Sequence, residues 1–365
     1  MERIGQVSDI WRYPVSSFGG ERLGSAELVP AGLGGDRLGA FFEVGTGKIV
    51  FPSIVQKWNL APKIAARTGR DGVEISLDGR LWRPTDHPDL ARDLAALTGT
   101  AIEYRPYGSD GARQRYAFSP LHLVSLQAMQ ALQGLLPDSL IDPRRFRPNL
   151  VIDLPDPSGL QPEYHLIGRE FRIGNLTLRG VRPAGRCSFT TLEQPGLPED
   201  KRVLRELIAG FDKNFGIYAE VVTPGPIAIG DAISADLARP LVIVGGGQAG
   251  AMTAKALRDL GDPRPIRILG DEPHPPYERP PLSKGAQDMA YVLPTEDYAR
   301  LEIDLQTGTS VVRIDRSSRE VVTQDGRRQP YLNLILATGG RARGPECRHG
   351  RVHRIRSIED ARALH

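Results

Sequence analysis

Two kinds of hydrophobic pattern divide this chain. Near residue 240 an unbroken apolar run, "LVIV" (241–244), gives way to "GGGQAG" and then to apolar residues spaced three and four apart as far as Leu260. Such a run, with no polar position between its apolar ones, predicts a strand covered on both faces, and the spacing after it predicts a helix. "PIRILG" (265–270) predicts the next strand. Together they predict a βαβ unit, and so a parallel sheet with a right-handed crossover.

Upstream, short alternating runs dominate. In "GVEISLDGRLWRP" (72–84) apolar and polar positions alternate around Asp78-Gly79, which predicts a hairpin closed by a two-residue type I′ turn. "GLGGDR" and "EVGTGK" add glycine turns. "SPLHLVSLQAMQALQGLL" begins at Ser119-Pro120 and has apolar residues at helical spacing from Leu121 to Leu136, predicting one helix. "FRPNLVID", "FRIGNLTLRGV" and "IYAEVV" predict strands, "LPEDKRVLRELIAGF" a helix, and "GPIAIGDAIS" a closing strand pair. The expected organisation is a β-rich segment at 1–98, a mixed segment at 99–233, a linker at 234–239 and a dinucleotide-type α/β segment at 240–365. The fold class is therefore mixed: barrel-rich β structure followed by a partial Rossmann-type α/β unit. Trp11, Trp58 and Trp82 all fall in the first segment, as expected core anchors.

Composition narrows the classes. A chain of 365 residues implies two or three domains. A net charge of +3 and a pI near 8.9 leave no basic stripe, so no nucleic-acid partner is expected. The opening "MERIGQVSDIWRYPV" lacks the apolar core of a signal peptide, and no run of 18 apolar residues occurs. No membrane association is expected, and the two cysteines, 187 and 347, do not make a secreted disulfide framework. The expected compartment is the cytoplasm.

The glycine turn carries the first candidate chemistry. Gly245, Gly247 and Gly250 form G-x-G-x-x-G, with Gln248 and Ala249 inside it, after a strand and opening a helix. Asp271 and Glu272 follow about twenty residues later, placed to accept hydrogen bonds from ribose hydroxyls. The text "GDEPHPPYERPPLSK" (270–284) and "LNLILATGGRARG" further on resemble FAD-dependent ferredoxin and rubredoxin reductases. That resemblance implies FAD, with Arg279 and Lys284 near its pyrophosphate and flavin and Ala337, Thr338 and Gly339 against it. Such reductases insert a second dinucleotide domain for NAD(P)H and then complete the FAD domain. Neither segment follows here, so the resemblance implies an incomplete FAD site, and a redox partner (a ferredoxin-type carrier or an NAD(P)H-binding segment) supplied from elsewhere.

In the first 233 residues Cys187 is the only cysteine. Alone it reads as a buried packing residue before it reads as a reactive thiol. Five stretches, "WRYPVSSFGGERL", "AGLGGDR", "FRPNLVID", "GRCSFTT" and "FGIYAEVVTPGPIAIGD", occur in the order found in MOSC proteins with an N-terminal β-barrel partner, the amidoxime-reducing components among them. This resemblance implies a molybdenum cofactor (molybdopterin) with Cys187 as the catalytic metal ligand. A soft thiolate suits molybdenum already held by dithiolene sulfur. By motif position Ser17, Arg37, Arg147, Asn149, Arg186 and Tyr218 are the expected cofactor-binding residues. Arg144 and Arg145 are read as either surface charge or part of the same cluster. The implied activity is reduction of an N–O bond in small N-hydroxylated compounds, with electrons arriving through FAD. A Cys187 persulfide for sulfur transfer, or a non-catalytic flavin- or pterin-binding module, are the alternatives. Pyridoxal phosphate binding is also associated with MOSC-type proteins.

Two positions depart from the family pattern: Ser16 stands where a lysine is expected, and "KIVFPSIVQKWNL" lacks an expected arginine, with Lys57 as the nearest substitute. His122, His165 and the tract of Cys347, His349 and His353 are all read as structural or solvent-facing rather than as metal ligands.

Overall fold

The computed structural model describes residues 1–52, 55–108, 120–155, 159–284, 290–340 and 355–364. Ser119, Cys347, His349 and His353 lie outside these. The chain divides into two compact units, Met1–Asp236 and Leu237–His365.

The first unit is built on a barrel. Its strands are β1 (Glu2–Arg12), β2 (Glu21–Leu23), β3 (Leu121–Ser125), β4 (Leu150–Asp153), β5 (Glu170–Ile173), β6 (Leu176–Gly185), β7 (Asn214–Thr223) and β8 (Ala232–Ala235). They run in the order β4-β3-β7-β6-β5-β8-β1-β2, and β4 also pairs with β1, so seven strands close on themselves with β2 added outside. Closure removes the exposed sheet edges, which suits strands this short. Only β3 and β4 are parallel, with Leu123 opposite Leu150. Helices α1 (Leu126–Leu135) and α2 (Lys201–Gly210) cover part of the barrel, packing Ala128, Leu132, Val203 and Leu207 with Val124, Phe146, Val151 and Phe215.

The expected boundary near residue 98 is crossed twice. β1 enters the barrel made mostly of later strands, while the strand Ile102–Pro106 pairs back with Gly39–Glu43. That pair belongs to a second core, in which Phe18, Phe41, Trp58, Ile75, Leu90 and Leu94 are buried. Of the three tryptophans only Trp58 is fully enclosed; Trp82 is half-buried under the Arg67 guanidinium, 4.2 Å from its ring.

Four sequence expectations need correction. Leu121–Leu136 is not one helix: Leu121–Ser125 is a strand, and Ser125 then caps α1 by accepting from the Ala128 amide at 3.0 Å. All five residues of the strand are buried, so its apolar run fits either period, and barrel closure decides. The Gly72–Ser76 hairpin closes through a longer loop to Arg83–Pro84. Asp78 there accepts from the Arg80 and Leu81 amides, and only Gly79 of the pair has positive φ, which a type I′ turn would require of both. Gly225–Ala228 and Ala232–Ala235 do not pair together; the first joins Ser25–Val29 and the second lies between β5 and β1. Because β8 runs to Ala235, the expected linker at 234–239 is strand at its start.

The second unit holds a parallel sheet ordered β11-β10-β9-β12, from β9 (Leu241–Val244), β10 (Ile266–Leu269), β11 (Ile303–Gln306) and β12 (Asn333–Leu336). Helix α3 (Gln248–Asp259) links β9 to β10 and buries Ala251 and Ala254 with Ile243, Ile266 and Ile268. An antiparallel three-stranded meander, Val311–Asp315, Glu320–Thr323 and Arg328–Pro330, follows β11. Among the described residues no helix is long and apolar enough to cross a membrane.

Candidate functional site

In the first unit four separated stretches converge on one cavity of about 320 Å³, lined by Ser16, Ser17, Arg37, Arg147, Arg186 and Cys187, with His122, Tyr107, Phe189 and Tyr218 completing much of its wall. Its described lining contains four arginines, Arg145 being the fourth, and neither a carboxylate nor a lysine.

Backbone geometry aims these side chains. Ser17, Arg37 and Arg147 have φ of 72°, 45° and 57°, so three of the seven described non-glycine residues in this region line one cavity. Side chains other than glycine enter it at a cost of roughly 1–2 kcal/mol each. Such strain clusters at functional sites. Arg147 ends the short helix Pro143–Phe146, where its amide donates to Pro143 O at 2.9 Å. Its guanidinium donates to the Val15 and Phe18 carbonyls and stacks 4.2 Å over Tyr13. Burial, then the neighbouring Arg37, pull the Arg147 pKa down to about 10. Arg37 is half-buried, and against that burial Asp36 beside it holds its pKa above the usual arginine value.

Cys187 lies two residues past the end of β6, where it caps the 3₁₀ turn Ser188–Thr191. Thr190 fixes it, donating from Oγ1 at 3.0 Å and from its amide at 3.2 Å to the Cys187 carbonyl. Cys187 is solvent-exposed, so the packing reading of this residue does not hold. Arg186, just before it, donates to Gly185 O at 2.9 Å and Phe146 O at 2.8 Å. Arg182 stacks 4.9 Å over Tyr218.

Several expectations change here. Asn149 is fully buried and does not line the cavity. Its Oδ1 accepts from the His122 amide at 3.2 Å and from Arg37 Nη1 at 3.3 Å, so it orients Arg37 from behind. Ser17 gives its hydroxyl proton to Val50 O at 3.1 Å. Arg145 is not surface charge: it is 1% exposed and donates to the Leu140, Thr190 and Pro198 carbonyls, tying the arginine loop to the cysteine turn. Lys57 pairs with Glu43 at 2.8 Å and lies outside the described lining. Ser16, in the lysine's place, pairs its hydroxyl with Tyr107 at 2.7 Å on the cavity wall. His122, expected to be structural or solvent-facing, lines the cavity while 2% exposed. A polar residue inside the apolar "LHLV" run is the only sequence signal for it, and a helix reading of that run hides it.

In the second unit the glycines form a cradle. Gly245 has φ of 125°, and an added Cβ would lie 2.2 Å from Ala337 O. One on Gly250 would lie 2.2 Å from Gly245 O, whereas one on Gly247 would meet nothing within 4 Å. Gly245 and Gly250 thus permit packing, and Gly247 leaves open space at the N-terminus of α3, where Gln248 and Ala249 are exposed. That suits a phosphate approached by backbone amides. Glu272 is already engaged: Tyr277 donates to Oε2, and Arg279 to Oε1 at 2.6 Å. Asp271 and Lys284 are exposed, as are Thr338 and Gly339. Arg279 is therefore a brace for Glu272 in this structure, not a cation facing open space.

Comparison with known proteins follows the same division. Residues 110–234 match the model for the MOSC domain, and residues 239–365 that for pyridine nucleotide-disulphide oxidoreductases. The chain joins a MOSC domain to an oxidoreductase segment. The oxidoreductase segment is 41% identical over 136 residues to the ferredoxin–NAD(+) reductase component of the anthranilate 1,2-dioxygenase system of Burkholderia cepacia, covering 35% of this chain and 34% of the relative. It is 38% identical to the rubredoxin–NAD(+) reductase of Pseudomonas putida, covering 34% of each. The covalent putidaredoxin reductase–putidaredoxin complex matches with 35% identity, 35% of this chain, 34% of that one and a TM-score of 0.33. The chain thus spans about a third of the length of the relatives it matches.

The residues of the MOSC unit suit a molybdenum–pterin group in three respects. The cavity is cationic with no acidic residue in its described lining, Arg37 and Arg147 sit at strained backbone positions, and a thiol stands exposed at its wall. Pyridoxal phosphate does not fit there, because the described lining offers no lysine amine to hold it.

Proposed function

We propose that the protein is an oxidoreductase that reduces N-hydroxylated compounds at a molybdenum–pterin cofactor held by Cys187, with electrons supplied through FAD on the second unit. The observation that carries this is the convergence of Ser17, Arg37, Arg147, Arg186, Cys187 and Tyr218 on one cavity with no carboxylate in its described lining. Arg147 and Arg37 supply the positive charge for the pterin phosphate, and guanidinium forks suit its oxygens. Tyr218 and Phe189 line the same cavity as the thiol. When bound, the molybdenum supplies two-electron transfer and an acceptor for the substrate's oxygen. The overall change is R–NH–OH with two electrons and two protons to R–NH₂ and water.

The glycine cradle and the open N-terminus of α3 are assigned to the FAD pyrophosphate, and flavin supplies one- and two-electron transfer when bound. The relatives are reductases named for ferredoxin and rubredoxin, and we assign a carrier of that class as partner. A cytoplasmic location follows from the same reading. Expression in a host competent for the cofactor should give stoichiometric molybdenum, extractable pterin and turnover of a hydroxylamine. Wild-type protein from such a host without molybdenum refutes the proposal.

One observation favours a second reading: Cys187 is exposed and open to a sulfur donor. In that case intact-mass spectrometry finds one added sulfur on Cys187. Unchanged function of Cys187→Ser would leave only a non-catalytic binding module.

A further inference from the structure

We propose that His122 is the positioning residue that sets the Arg186 guanidinium beside Cys187. This rests on the reading of Cys187 as the reactive thiol and extends it to a residue that no motif marked.

His122 sits on β3, at the cavity wall, with its ring almost fully enclosed. Its Nε2 lies 3.0 Å from Phe215 O, to which a protonated Nε2 donates, and the Arg147 carbonyl is a second backbone acceptor for the ring. Its backbone amide and carbonyl are both held by Asn149. Strand β7 is shaped around the ring. Gly216 has φ of 77°, and a Cβ there would come 2.8 Å from His122 Nε2 and 2.2 Å from Leu123 O. On the other side, Arg186 Nη1 lies 3.4 Å from both ring nitrogens. It therefore rests against the ring as a whole rather than on one lone pair, while Nη1 and Nε reach the Phe146 and Gly185 carbonyls. The Tyr218 ring, 5.6 Å from the imidazole, closes the remaining side.

A half-buried cation held by carbonyls needs a neutral, polarisable surface to lie on, and an uncharged imidazole provides it. Burial, then the charge of Arg186, hold the His122 pKa well below its ordinary value, so this surface stays uncharged. The consequence falls on the next residue. Arg186 and Cys187 line the same cavity, so a fixed guanidinium sets the electrostatic potential met by anything approaching the thiol.

The test uses the full chain made in a host lacking the pterin cofactor, in a Cys347→Ser background. Cys187 is alkylated with iodoacetate and with iodoacetamide, and the ratio of the two rates reports positive potential at the thiol. Arg186→Gln should lower that ratio about fivefold or more. His122→Leu and His122→Asn, which remove the ring or fall short of the guanidinium, should lower it similarly. His122→Gln, which retains a donor for Phe215 O and a carbonyl facing Arg186, should stay within about twofold of wild type. A merely structural histidine would move melting temperature across all three His122 variants and leave the ratio alone. A wild-type ratio in both folded His122→Asn and His122→Leu, or in Arg186→Gln, overturns the proposal. Should one variant not fold, the other decides. Because the protein carries no cofactor in this test, its outcome is independent of whether molybdenum binds.

Discussion

Glu163 offers a measurement of the barrel's interior that does not depend on any cofactor. It lies in the 3₁₀ turn Pro162–Leu166, fully buried. Oε2 accepts from Ser125 Oγ at 2.5 Å, the same hydroxyl that caps α1. Oε1 is buried with no hydrogen-bond partner among the described residues. Burial raises its carboxyl from 4.5 to about 7, against the opposing hydrogen bond from Ser125. A pKa raised on folding means that the folded state holds the proton more tightly. The stability it contributes is complete below about pH 4.5 and is lost as pH rises through about 7. Each tenfold difference in proton affinity between the folded and unfolded chain is worth about 1.4 kcal/mol, so the loss approaches roughly 3 kcal/mol by pH ~8.

Glu163→Gln removes the titration but keeps an acceptor for Ser125. Its amide leaves a buried donor unpaired, at a cost of roughly 1–3 kcal/mol at every pH. The variant should therefore be less stable than wild type near pH ~5 and draw level or pass it near pH ~8. Urea unfolding followed by tryptophan emission at several pH values tests this, and Trp11, Trp58 and Trp82 all report on the first unit. Titrations common to both proteins cancel in the difference. A stability difference that stays constant across this range refutes the reasoning, because Glu163 would then have the same pKa folded and unfolded.

Three further outcomes follow from the sites. Cys187→Ser should lose molybdenum on metal analysis yet change unfolding free energy by no more than about 0.5 kcal/mol, since the residue is exposed. Arg147→Gln should lower bound pterin more than about tenfold by extraction and fluorescence, and destabilise the first unit by about 2 kcal/mol, because the carbonyls of Val15 and Phe18 lose a charged donor. Gly245→Ala places a methyl 2.2 Å from Ala337 O at a φ of 125°, so calorimetry should show the second unit destabilised by about 2 kcal/mol or more, and flavin retention should fall.

The second unit is readable in the sequence because its signals are local. An apolar strand, a glycine turn and a helix are contiguous, and each glycine's role is visible in a few residues of text. In the barrel the deciding facts are long-range. Nothing near Leu121 says that β3 will be enclosed between β7 and β4, so an apolar run that fits two periods reads as helix. The same ambiguity hides His122, since its neighbours in space, Phe215 and Arg186, lie more than sixty residues away in sequence. Motif order does pick out Arg37, Arg147, Arg186 and Cys187, which line one cavity. It does not separate Asn149, which acts from behind the wall, from the residues that face the cavity, because both lie in the same "FRPN" text.

The conformations that aim those residues are also where the chain departs most from what its residue types prefer. Glycine would relax positions 17, 37 and 147, but it would remove both guanidinium forks and the Ser17 hydroxyl. Lys213 and Asp212 repeat the pattern on the cysteine side, with φ of 60° and 49°, and the Lys213 carbonyl receives the Arg186 amide at 2.8 Å. Five of the seven described non-glycine positions with positive φ therefore line this cavity or immediately precede β7, the partner of the strand that leads to Cys187. Strain held on both sides of one cavity, with cations facing inward and no acidic residue in the described lining, is costly for an empty scaffold. An anion in that space would offset the cost, because the backbone carbonyls that hold the Arg147 and Arg186 guanidinium groups have already fixed where those cations lie.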